Sequence, residues 1–158
     1  MIRKSLLILA TTFAAGLLFV NIYNSLVDAV SWGSNIPASI QTTKDYYKVV
    51  NPGNFFRIFS PINQVLALLV LIVCWKTNKR IRIYCVAALL IAVVSDLFTF
   101  AYFYPRNEIM FGSTVDTNLE ALKTAWTEWT TMNWFRSGLV LLNLIFDWSQ
   151  YVSSSYAL

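Results

Sequence analysis

Three ionisable residues, Asp28, Asp96 and Arg136, stand inside long apolar runs of this sequence. An ionised side chain does not persist against hydrocarbon; it faces another charge or a wet cavity. Polar residues accompany each of the three at helical spacing. Asn21, Asn24 and Asp28 follow i, i+3, i+7 and share one helix face. Trp126, Trp129, Asn133, Arg136, Val140, Asn143 and Asp147 keep an unbroken alternation of three and four, a single stripe of the kind that packs inward in a bundle. Thr99 accompanies Asp96, while Arg57, Ser60, Pro61 and Asn63 open another apolar run. The spacing predicts that Arg136 pairs with Asp28 or Asp96. Such groups either line a polar pocket or only fasten helices to one another.

What is missing bounds the chemistry. The chain has no histidine, which removes the commonest general base, metal ligand and haem ligand. We expect neither a metal nor a cofactor. Cys74 ends one apolar run and Cys85 begins the next, with no CxxC between them, which argues against thiol redox chemistry. They read as small buried apolar side chains. The basic residues gather at the ends of apolar runs instead of forming a stripe, so nucleic acid is not an expected partner.

The elements that must position these groups follow from composition. Hydrophobic residues make up 57% of the 158 and charged ones 13%, about half the charged share of a soluble domain. So much apolar surface suits a bilayer. Four apolar segments stand out, at about 5–31, 56–76, 82–104 and 131–150. The fourth holds Arg136, Asn143 and Asp147 and inserts only if these face other helices, since a central charge costs ~2.5–3.5 kcal/mol on insertion scales. The expected fold is all-α, a single integral membrane four-helix bundle over 1–158. Arg3 and Lys4 before an apolar run imitate a signal peptide, but the run over about 6–30 is too long and lacks an A-x-A site, so it reads as a retained span. The basic turn at 76–82 and the basic N-terminus predict both termini on the cytoplasmic side of a plasma or bacterial inner membrane. The connections 32–55 and 105–130 then lie outside, the first with a short helix near 39–50 and an Asn51-Pro52-Gly53-Asn54 turn. Pro105 is expected to end the third segment, and a helix to restart near Thr117. In this topology Asn24, Asp28, Asn63, Asp96, Asn133 and Arg136 share the outer half of the membrane, which predicts a pocket open to the outer face.

Tyr104-Pro105-Arg106-Asn107-Glu108, followed by Trp126-x-x-Trp129-x-x-x-Asn133-x-x-Arg136, resembles the anthrone-oxygenase-like family of small four-helix membrane proteins; Ser60-Pro61-Ile62-Asn63 fits more loosely. The resemblance implies a cofactor-free oxygenase that turns an anthrone into an anthraquinone with molecular oxygen. Such chemistry needs a base for a benzylic proton, with Asp28 and Asp96 as candidates. It also needs stabilisation of the enolate, suited to Arg136 with Asn133 or tryptophan N–H donors. Trp126, Trp129 and Trp134 are then candidate walls for a flat aromatic substrate, and Asn24, Asn63 and Asn107 candidate contacts. Family members often carry histidine where this chain has Trp134, and the gap from Trp129 to Asn133 is longer here. The competing class is a non-catalytic membrane protein: a partner subunit, a small-ligand binder or an immunity-type protein. Expected partners are the lipid bilayer and a small hydrophobic ligand; a protein partner or homo-oligomer stays open.

Overall fold

The computed structural model describes residues 2–112 and 118–155. The described chain is all-helical, with no strand. The first rod joins α1 (Ile2–Tyr23), a π-helical turn (Asn24–Asp28) and α2 (Ala29–Gly33). After a turn containing a cis Ile36–Pro37 bond comes α3 (Ala38–Tyr46). Asn51, in extended conformation, leads into α4 (Pro52–Cys74). Pro52 suits that first turn because its missing N–H would have no intrahelical partner there. Asn78 caps α5 (Lys79–Phe98), its Oδ1 accepting from the Ile81 amide at 2.9 Å. A second π-helical turn (Thr99–Phe103) carries α5 on into α6 (Tyr104–Phe111).

Pro105 therefore does not end the third apolar segment. It sits in the first turn of α6, directly after the π turn, where a missing N–H is tolerated. The expected helix restart at Thr117 lies outside the described residues; α7 (Leu119–Ser155) is described from Leu119 onward.

Three stretches, Ile2–Gly33, Pro52–Cys74 and Lys79–Phe111, are long and apolar enough to cross a membrane. Only 17% of the most apolar window is buried in the second and the third, so their surfaces suit lipid and not water. The fourth expected segment lies within α7, which does not join those three by length and composition. Its polar stripe is the cause. That stripe faces inward along its length: Trp129, Asn133, Arg136, Val140, Asn143 and Asp147 are all buried, and Gln150 extends it.

α7 packs along α1 and α5, and α4 packs along the same two helices. At one end Leu7, Ala10, Val70, Cys74, Ile81 and Cys85 form an apolar plug. At the other, Trp32, Ile40, Phe103, Met110, Leu122 and Trp129 form a second, aromatic one. Trp126 lies flat against Gly33, where a Cβ would overlap its ring, and its Nε1 donates to the Ala29 carbonyl at 2.7 Å. Arg106 holds α6 to α7, its guanidinium 2.8 Å from Glu128 and stacked 3.5 Å over the Tyr102 ring.

Candidate functional site

Between the two apolar plugs lies a cavity of about 580 Å3, within the ~300–1,000 Å3 range of small-molecule sites. Its wall takes residues from α1 and the first π turn (Leu17, Asn21, Asn24), α4 (Phe56, Ser60, Asn63), α5 and the second π turn (Ala92, Asp96, Phe103), and α7 (Trp129, Arg136, Val140, Asn143).

Arg136 is the centre of this wall. Only 6% of it is exposed, yet among the described residues no carboxylate lies within ion-pairing distance. The expected direct pair with Asp28 or Asp96 is not formed. Neutral acceptors replace it: Nη2 donates to Asn133 Oδ1 at 2.6 Å and Nη1 reaches Thr99 Oγ1 at 3.5 Å. Three rings surround the guanidinium, those of Phe103 at 4.2 Å, Phe56 at 5.2 Å and Trp129 at 5.9 Å from its carbon. Nε has no partner. A desolvated cation among aromatic faces with a free donor is a prepared anion site.

Asn133 fixes that cation. It is fully buried, and its Nδ2 donates to Ser25 Oγ at 2.6 Å and to the Asn21 carbonyl at 3.1 Å. Because both acceptors are on the first rod, Oδ1 is turned toward Arg136. The π turn at Asn24–Asp28 contributes directly, since a widened turn shifts the backbone hydrogen-bond ladder and opens carbonyls to side-chain donors. The second π turn supplies Thr99 and Phe103 to the other side of the same guanidinium.

Asp96 lies in the wall on α5, accepting from Gln64 Nε2 at 2.6 Å, and its charge acts on Arg136. Asp28 lies outside the wall, half-buried, and accepts a long 3.5 Å contact from the Tyr47 hydroxyl. Burial, and after it the charge of Asp28, push the Tyr47 phenol up to about 12. Tyr47 therefore remains a neutral donor on the cavity wall.

Of the residues expected at a site, the cavity brings together Asn24, Asn63, Asp96, Asn107, Trp129 and Arg136. Trp126 and Asn133 stand behind it, and Trp134 is 48% exposed on the outer surface of α7. The position at which family members often carry histidine therefore does not face this cavity. Asn143, part of the inward stripe, also lines it and donates to Asp147 at 3.0 Å. Sequence reasoning missed Gln64, Tyr47, Phe56 and Phe103. Gln64 alone left a signal, a polar residue inside an apolar run, beside Asn63.

Polar atoms without partners mark the same space. Six buried side-chain N or O atoms among the described residues have none, and all but Thr130 Oγ1 belong to the wall: Asn21, Asn63 and Asn143 Oδ1, Trp129 Nε1 and Arg136 Nε. Leaving one such atom unmade costs ~1–3 kcal/mol. Their concentration here indicates a polar binding site within an apolar helical protein.

These features define a helical membrane protein with an internal polar cavity. A family profile described as anthrone oxygenase matches residues 54–146, and the chain belongs to that family. The match takes in Asn63, Asp96, Asn107, Trp129, Asn133 and Arg136, and leaves Asn24, Asp28 and Tyr47 outside. No curated protein and no solved structure matches the chain.

Proposed function

We propose that this chain is a four-helix transmembrane bundle with α7 as its fourth span. Both termini and the basic turn at 76–82 lie on the cytoplasmic side, and the cavity opens toward the outer face. It acts as an oxygenase on a flat, hydrophobic aromatic ketone of the anthrone type. The observation that carries this reading is Arg136, a buried guanidinium on the cavity wall that among the described residues forms no ion pair and leaves its Nε unpartnered.

Anthrone and molecular oxygen give anthraquinone and water, with every atom accounted for. Asp96, as the carboxylate in the wall, takes the benzylic proton. The negative charge that develops on the ketone oxygen is met by Arg136 and by Trp129 Nε1, the two free donors. Oxygen accepts an electron from the resulting enolate, the two radicals join in a carbon–oxygen bond, and the peroxide anion takes back the proton held by Asp96 to give a hydroperoxide. Loss of the remaining benzylic proton and cleavage of the O–O bond release water and leave the quinone. Phe56, Phe103 and Trp129 offer flat apolar walls to such a molecule.

Purified protein in lipid nanodiscs should consume one oxygen per anthraquinone formed, faster than anthrone oxidises in empty nanodiscs, and Asp96→Asn should abolish the difference. Binding with no acceleration would support the non-catalytic ligand-binding reading instead. Absence of both would refute the site.

A further inference from the structure

We propose that the cavity fills from the hydrocarbon of the bilayer, through a side portal between the outer half of α4 and the π-turn region of the third rod. It rests on the reading above for the identity of the ligand and for the placement of the rods in the bilayer.

The seams between the rods are not equally closed. On the α1 side, Phe55, Phe56 and Phe59 of α4 pack with Leu17, Leu18 and Ile22, and Phe13 meets Phe59 at 6.0 Å. On the α7 side, Trp129 packs edge-on against Trp32 at 4.9 Å and against Phe103 at 5.5 Å, with Phe98 on Phe135 beyond. The remaining seam differs. α4 packs on α5, where Gln64 bonds to Asp96, but makes no comparable contact with the π turn Thr99–Phe103 or with α6. Beyond Asp96 no packing between α4 and the second π turn or α6 compares with that along α5.

The residues at the gap belong to the cavity wall and to the outer surface at once. Phe100 lines the cavity and is 57% exposed; Tyr104 lines it and is 47% exposed; Pro61, also in the wall, is exposed. Both rods are among the stretches apolar enough to span a membrane, so this surface looks into lipid. Pro61 lies within α4 and offers no N–H to the carbonyl of Arg57, one turn earlier. That turn is therefore the least constrained part of the rod, and it borders the gap. A flat aromatic molecule with low water solubility is concentrated in the bilayer and meets this opening first.

The test uses thiol reagents and needs neither anthrone nor turnover, so its result is independent of the oxygenase reading. Val140→Cys places a thiol on the cavity wall of the full chain in nanodiscs, and the parent chain, with its own Cys74 and Cys85 buried, gives the background rate. Leu97→Cys, on the lipid-facing surface, calibrates reaction within the bilayer. Two probes are compared: N-(1-pyrenyl)maleimide dissolved in the lipid, and a sulfonated maleimide confined to water. We expect Cys-substituted Val140 to react severalfold faster with the pyrenyl probe, and Phe100→Ala to raise that rate while leaving the sulfonated rate as it was. A sulfonated rate equal or greater would overturn the portal. So would an unchanged pyrenyl rate in Phe100→Ala, or a cavity thiol inert to both probes while the Leu97 control reacts. If Val140→Cys fails to fold, Ala92→Cys on the facing wall takes its place under the same criteria.

Discussion

Replacing Arg136 by methionine separates a binding group from a structural one. A guanidinium taken out of water without a counter-charge costs several kcal/mol even after relaxation, and replacing buried ionic groups by apolar ones of similar volume is often neutral or stabilising by ~1–4 kcal/mol. The losses in this protein are countable. Asn133 Oδ1 loses the 2.6 Å bond it accepts, at ~1–3 kcal/mol for a buried unmet acceptor. The contact with Phe103 at 4.2 Å is lost too, at ~0.5–2 kcal/mol. Among the described residues no ion pair is broken, and Asp96 loses only the longer-range attraction of the Arg136 charge. Gains and losses nearly cancel, so Arg136→Met should fold with stability within ~2 kcal/mol of the wild type. Turnover of anthrone, by contrast, should fall by ~100-fold or more, as when a principal oxyanion donor is removed. Reversible unfolding in bicelles, followed by steric trapping, measures the first quantity and oxygen uptake the second. A loss of stability of ~4 kcal/mol or more with turnover intact would show that Arg136 fastens the bundle, and the reasoning fails.

Asn133→Leu should behave in the opposite way. It removes two bonds to the first rod and the acceptor that aims Arg136, costing ~2–4 kcal/mol in the same unfolding assay, and stability within ~0.5 kcal/mol of wild type would contradict it. Tyr47, with its phenol pushed up to about 12, holds its proton more tightly when folded than at the unfolded value near ~10. Its contribution to stability is therefore whole below the unfolded value and is lost as pH rises toward the folded one. The absorbance titration of wild type minus Tyr47→Phe should show that late midpoint, and one at the ordinary tyrosine value would count against the burial of the phenol beside Asp28. For topology, Thr77→Cys should resist an impermeant maleimide added to whole cells, whereas Val49→Cys, 89% exposed, should react. Equal reaction at both would overturn the orientation.

The inward stripe of α7 was legible because its alternation of three and four is uninterrupted and α7 is one regular helix throughout. The face Asn21, Asn24, Asp28 was only partly legible. The π turn begins at Asn24, so an α-helical count no longer holds after it. Asn21, Asn24 and Ser25 are buried, whereas Asp28 has turned out of the cavity wall toward Tyr47. The partner of Arg136 was also only partly legible, for a different reason: Asp96 acts on it through its charge but forms no ion pair with it. Charge arithmetic along a sequence finds the opposite charges, but it does not see that an amide one helical turn away and a threonine on another rod have already taken a donor from each of the two terminal nitrogens. The three rods long and apolar enough to cross a membrane needed only composition.

Each π turn is, in effect, an α-helix that has taken in one extra residue, and one residue corresponds to about 100° of rotation about the helix axis. Among the described residues there are two, at Asn24–Asp28 and Thr99–Phe103, each between a half that packs the apolar plug and an outer half, away from that plug, that lines the cavity. Each outer half is therefore indexed separately from the inner scaffold. Excising a single residue at either turn would swing α2 or α6 by roughly a quarter of a revolution while α1 and α5 kept their seats. Single-residue insertions and deletions, usually ruinous within a helix, offer this architecture a dial for reshaping its entrance without rebuilding its core.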